Sequence, residues 1–173
     1  MKNGQNVILI GMSGAGKSTL GVLLAKALGK SFLDTDLLIQ QREGRLLQEI
    51  LDTDGSDRFL EIEEATVCAM QAENTVIATG GSVVYSEPAM RVLKDGGIAV
   101  YLEVSYEELA ARLSDITTRG IVFKSAHDLR GVYEERLPLY DRYADIRVPC
   151  TGRAIEQSVR EVLRAIEERE GRA

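Results

Sequence analysis

Eight consecutive residues, Gly11-Met12-Ser13-Gly14-Ala15-Gly16-Lys17-Ser18, have the types and spacing that hold a chain of phosphates. The glycines let the backbone curl so that successive N–H groups face an anion. A helical pattern opens directly behind them and adds the positive end of its dipole. Lys17 is placed to reach the β- and γ-phosphates and Ser18 to ligate Mg²⁺. The expected ligand is a nucleoside triphosphate with Mg²⁺, touched by Gly11, Ser13, Gly14, Ala15, Gly16, Lys17, Ser18 and Thr19. A dinucleotide fingerprint fits less well, because the run lacks G-x-G-x-x-G spacing. The plainer alternative is a glycine-rich turn between a strand and a helix.

A second set of residues could hold and activate an acceptor. Asp34 and Asp36 lie two apart, so their side chains share one face if the extended backbone continues. One would stand near Mg²⁺; the other would accept a hydrogen bond from an attacking hydroxyl and take its proton. Capping of the Leu37-Leu38-Ile39 helix start by Asp36 is the structural alternative. Gly80-Gly81, followed by Ser82, allows close approach of backbone to a ligand, or is an ordinary turn. Arg119 lies in a polar, small-residue stretch read as a lid over about 113–129, which would exclude water and deliver a cation. A solvated loop arginine is the alternative there. Arg136, flanked by Glu134 and Glu135, is either an anion clamp or a surface ion pair.

Elements that could position these groups follow from the apolar periodicity. Strand-length runs recur at Asn6–Ile10, Ser31–Asp34, Thr75–Thr79, Ile98–Glu103 and Ile146–Val148. Helical stretches are read at Thr19–Leu28, Asp57–Ala72, Tyr106–Leu113 and Arg153–Glu170. Alternation of this kind predicts a parallel sheet covered on both faces, with ligands beyond the carboxyl ends of its strands. Asp52-Thr53-Asp54-Gly55 matches a D-x-x-G spacing, but no guanine-reading motif follows it, and it is read as a helix-ending turn. Tyr133, Tyr140 and Tyr143 are expected in the core, and His127 as a solvated residue beside the lid.

The chain has 173 residues, 45% of them hydrophobic, which suits one α/β domain. Its net charge of -6 disfavours a broad nucleic-acid surface. Cys68 and Cys150 have neither disulfide nor metal spacing and are expected to pack in the core. The apolar run before the phosphate loop is too short to cross a bilayer. The expectation is a cytoplasmic monomer with a small-molecule acceptor and neither nucleic-acid nor membrane partners.

Taken together the motifs resemble the shikimate kinases over nearly the whole chain. The match includes the phosphate loop with Thr19, Phe32-Leu33-Asp34-Thr35-Asp36, Phe59 and Ile62-Glu63-Glu64. It continues through Thr79-Gly80-Gly81, Tyr101-Leu102-Glu103, Arg119, and Arg136 with Pro138-Leu139-Tyr140. The resemblance implies a three-layer P-loop fold of the nucleoside-monophosphate-kinase type, with a five-stranded parallel sheet and a lid. It also implies Mg·ATP as donor, an acceptor-binding segment over about 34–73 and phosphorylation of a hydroxyl on a small carboxylate-bearing molecule. By the same resemblance Asp36 binds shikimate hydroxyls, Asp34 lies near Mg²⁺, Arg112 lies by the adenine, Arg119 is the lid arginine and Arg136 grips the carboxylate.

Three departures fall on the acceptor side. Leu60 stands where the family usually has a second carboxylate-clamping arginine, and Arg58 is about 200° away around a helix. Ser82 replaces a third glycine, and Arg119-Gly120-Ile121-Val122 replaces the usual Arg-Pro-Leu-Leu. Deleting one partner of an arginine–carboxylate pair in a closed site costs about 2–5 kcal/mol. Shikimate is the first acceptor implied. Homoserine or a sugar acid is the second: Arg136 would take the carboxylate, Asp36 or Glu61 the ammonium, and Leu60 the methylenes. A nucleotide-binding regulatory module without kinase activity is the third reading.

Overall fold

The structure, a computed structural model, describes residues 4–114 and 129–171. Its strands are β1 (Asn6–Ile10), β2 (Ser31–Asp34), β3 (Thr75–Ala78), β4 (Gly97–Glu103) and β5 (Ile146–Pro149). They form one parallel sheet in the order β2-β3-β1-β4-β5. β1 pairs with β3 on one side and β4 on the other, with Val7 opposite Val76 and Ile98. A parallel strand covered on both faces has no polar side to offer. Accordingly Val7, Ile8, Leu9 and Ile10 are all completely buried. Truncating any of them to alanine is expected to cost about 2–5 kcal/mol.

The helices are α1 (Lys17–Leu28), α2 (Thr35–Glu43), α3 (Leu47–Ala69), α4 (Glu87–Asp95), α5 (Tyr106–Ser114), α6 (Leu129–Tyr143) and α7 (Ile155–Glu170). The expected strands all form, with ends shifted by no more than a residue. α4 and α6 are not among the helical stretches read from the sequence, and α2 corresponds to the helix start at Leu37-Leu38-Ile39 offered there as an alternative. α2 begins directly where β2 ends, without a turn signal. α4 is opened by Ser86, whose side chain accepts from the Ala89 amide, with proline in its first turn. α6 carries Pro138 in its interior, a residue that ordinarily ends a helix.

The Asp52–Gly55 turn breaks α3 rather than ending it: Gly55 has φ 81° and ψ 172° inside the long helix. The turns before the break therefore belong to the same element as Phe59 and Ile62. A small apolar cluster of Ile39, Ile50, Phe59 and Ile62 joins α2 to α3, separate from the main core around the sheet. Cys150 is buried as expected, but Cys68 is exposed. The buried face of α3 runs through Phe59, Ile62, Glu63, Thr66 and Val67, and the next position points about 100° away from Val67. No described helix is long and apolar enough to cross a membrane.

Candidate active site

A cleft of 450 Å³ opens beyond the carboxyl ends of β1, β2 and β3. Its wall on one side is the loop between β1 and α1, including Ser13, Gly14, Gly16, Lys17 and Ser18. Gly14 and Gly16 have φ of 85° and 92°, left-handed values that glycine adopts without strain. Gly11 has φ 140°, and a Cβ there would meet the Leu102 carbonyl oxygen at 2.8 Å. Lys17 is buried, and its Nζ donates to the Gly11 and Met12 carbonyl oxygens at 2.6 and 2.8 Å. These bonds hold its ammonium over the loop, while Ser18 and Thr19 are exposed at the start of α1. Arg112 of α5 donates to the Gly14 carbonyl at 2.9 Å and pairs with Glu108, which ties it to the same loop. Ala15 is packed inward, its amide donating to the Met12 carbonyl at 3.1 Å.

Across the cleft, Asp34 and Asp36 both line the wall. The extended backbone does not continue through them. Asp34 is the N-cap of α2, its Oδ1 accepting from the Asp36 and Leu37 amides at 2.9 and 3.4 Å. Asp36 is therefore not the cap; its side chain turns to Gly80, where a Cβ would stand 2.9 Å from its Oδ1. Gly80 is held from the other side by its amide, which donates to Thr35 Oγ1 at 3.0 Å. Gly81 is held by Tyr140, whose hydroxyl donates to its carbonyl at 2.7 Å.

Arg136 is fully buried, which excludes the surface ion pair. Its Nε donates to Tyr85 Oη at 3.2 Å, and a Cβ on Gly81 would lie 3.1 Å from its Nη1. Ser82 is buried beside Glu63. Leu60 lies outside the cleft lining, packed on the small α2–α3 cluster. Glu61 also points away, exposed and paired with Arg58 at 2.7 Å. Arg119 and His127, with most of the expected lid, lie outside the described residues. Tyr140 is in the core and stacks on Tyr101 at 5.1 Å; Tyr133 and Tyr143 pack partly buried against that core.

The sequence reading assigned no role to Glu63, yet it is the central carboxylate of the acceptor side. It is 2% exposed, and a Cβ on Gly80 would overlap its Oε1. That Oε1 has no hydrogen-bond partner among the described residues. Burial pushes the Glu63 carboxyl up to about 7; Asp36 adds to the rise, while Ser82, Arg136 and Lys17 oppose it. The available signal was periodicity, since Glu63 falls on the same helical face as Phe59, Ile62, Thr66 and Val67. An acid in an apolar stripe is rarely fully buried without a reason.

Comparison with known proteins matches this arrangement. The family model described as shikimate kinase covers residues 13–167. A shikimate kinase from Mycobacterium avium is 45% identical over 149 residues, 84% of either chain. One from Mycobacterium ulcerans is 39% identical over 164 residues, 93% of this chain and 89% of that one. Among solved structures, shikimate kinase from Acinetobacter baumannii in complex with shikimate superposes with a TM-score of 0.86 at 29% identity, covering 95% of this chain and 94% of that one. A five-stranded parallel sheet, a phosphate loop at its central strand and a relationship spanning nearly the full length carry one conclusion: the chain belongs to the shikimate kinase family.

Proposed function

We propose that the chain transfers the γ-phosphoryl group of ATP to a hydroxyl of a small carboxylate-bearing acceptor, shikimate being the one the family implies. One relationship carries the reading. A Cβ on Gly81 would lie 3.0 Å from the Ser13 amide nitrogen and Oγ, and 3.1 Å from Arg136 Nη1. The donor loop and the acceptor's carboxylate anchor thus meet at one glycine, which is the juxtaposition that direct transfer needs.

In this reading the backbone from Gly11 to Gly16 cradles the phosphates, Lys17 steadies the transferring group and Arg112 borders the nucleotide. Arg119 supplies a further cation. Ser18 and Asp34 open on the same cleft with oxygen donors, the set a hard Mg²⁺ takes together with water and phosphate. Mg²⁺, when bound, neutralises charge on the β- and γ-phosphates. Asp36 orients the acceptor hydroxyl and receives its proton. The hydroxyl oxygen bonds to the γ-phosphorus, the bond to the bridging oxygen breaks, and ADP leaves with that electron pair. Arg136 holds the carboxylate, while the Gly80-Gly81-Ser82 backbone shapes the pocket; Leu60 packs behind it on the α2–α3 cluster.

The chain works as a single kinase domain and a monomer in the cytoplasm, with its acceptor segment at about 34–73 and its lid at about 113–129. The test is a coupled ATP-to-ADP assay with Mg²⁺ on shikimate, gluconate and water alone. Turnover that depends on a hydroxyl acid supports the reading. ATP binding without turnover on any hydroxyl acid would instead favour a nucleotide-binding module.

A further inference from the structure

The acceptor side carries one group that a purely anionic acceptor does not use. Glu63 Oε1 is buried, has no hydrogen-bond partner among the described residues, and points at Gly80. An unpaired carboxylate in such a place is costly unless a cation meets it. The residue one helical turn earlier, where a long cationic side chain would reach it, is Leu60. Arg58 is engaged with Glu61 on the exposed face. Among charged groups near Glu63, Asp36 is of the same sign, while Arg136 and Lys17 are cationic without hydrogen bonding Oε1.

Two buried groups of opposite charge approach the chain at consecutive residues. Glu63 meets the chain at Gly80 and Arg136 meets it at Gly81. Consecutive Cα atoms are about 3.8 Å apart. A carboxylate anchor and an ammonium anchor so close together suit a molecule that carries both groups on one carbon. The cleft, which borders these buried anchors at Gly81, is lined by Leu37, Leu46 and Leu47, an apolar wall against which a short methylene chain can lie. Leu37 and Leu46 are 55% and 60% exposed, so this wall is open to a ligand.

We infer that Glu63 forms a cation subsite beside Gly80 and that the kinase accepts a hydroxyl-bearing α-amino acid, held by its ammonium at Glu63 and its carboxylate at Arg136. This rests on the phosphoryl-transfer reading above and names a further acceptor class for it. The reaction is unchanged: the side-chain hydroxyl oxygen attacks the γ-phosphorus, ADP departs with the bridging-bond electrons, and Asp36 receives the proton.

The test compares three acceptors under Mg·ATP: homoserine, 4-hydroxybutyrate, which keeps its hydroxyl and carboxylate but lacks the ammonium, and shikimate. The expected result is kcat/KM for homoserine about 100-fold above 4-hydroxybutyrate, with Glu63→Gln erasing most of that ratio. Leu60→Arg, which places a guanidinium one turn from Glu63, provides a second route if Glu63→Gln does not fold. It is expected to lower homoserine turnover about tenfold and to favour shikimate. Equal use of homoserine and 4-hydroxybutyrate overturns the inference, as does an equal loss on every acceptor in Glu63→Gln. Turnover of shikimate alone overturns it while leaving the kinase reading intact. Inactivity on all three overturns the inference, and the kinase reading falls with it when gluconate is refused as well.

Discussion

Asp36 and Glu63, carried by different helices, press on the same point of the chain, the Cα of Gly80. A Cβ at that position would overlap Glu63 Oε1 and stand 2.9 Å from Asp36 Oδ1. Both neighbours are carboxylate oxygens, so an added Cβ displaces the two acids from the positions they hold here. Gly80→Ala is therefore expected to lower kcat/KM by about 10²-fold or more, because misplacing a reacting hydroxyl by an ångström costs that much. Steady-state kinetics on the purified variant, with circular dichroism to show that it folds, checks this. Activity within twofold of the parent would mean the two carboxylates do not set the pocket.

Glu63 also makes stability depend on pH. Its carboxyl ionises near 4.5 when exposed and only at about 7 in the folded chain. Between these values the folded state keeps a proton that the unfolded state releases, so the contribution of Glu63 falls as pH rises through this window. Glu63→Gln removes the titration. The variant is expected to be more stable than the parent at pH 8, by up to about 3 kcal/mol, and to lose most of that advantage at pH 5. Urea unfolding at the two pH values is the measurement. An advantage of the same size at both would place the effect outside ionisation.

Lys17 and Asp36 face the cleft from its two walls. Lys17→Ala and Asp36→Asn are each expected to lower kcat by about 10²-fold or more, through lost charge stabilisation and lost proton acceptance respectively. Thermal unfolding should show both variants folded. Full turnover in either one would refute the role proposed for that residue.

Tyr140→Phe deletes one hydroxyl, which leaves the Gly81 carbonyl without the bond it receives at 2.7 Å and takes a hydrogen-bond partner from Arg136. The site is buried, so about 1–3 kcal/mol of stability is expected to be lost. Gly81 also loses the tether that fixes it beside Arg136, and KM for the acceptor should rise more than kcat falls. Denaturant unfolding with initial-rate kinetics separates the two effects. Unchanged KM would show that the Gly81 position is held by other contacts.

The donor half of the site was legible because its chemistry is local. Eight contiguous residues set the loop, and glycine and lysine are spaced within it by the geometry of phosphate binding. The acceptor half is assembled from α2, α3, the β3 end and α6, and no short spacing announces it. Arg136 has the sequence surroundings of a surface ion pair, yet tertiary packing buries it under Tyr85. Asp34 rather than Asp36 caps α2 because the helix starts two residues sooner than the apolar pattern suggests. Pro138 disguised α6 in the same way, since a proline is a helix breaker only where packing does not hold the helix around it.

The separate cluster of Ile39, Ile50, Phe59 and Ile62 bears on how this chain changes over time. Substitutions in groups that share no contacts add independently, whereas those within one packed cluster do not. α2 and the turns of α3 through Ile62 have an apolar core of their own, so their geometry can drift with little effect on β1 or the phosphate loop. Leu60 rests on that smaller core. A lineage can therefore exchange its acceptor while inheriting its ATP machinery unaltered.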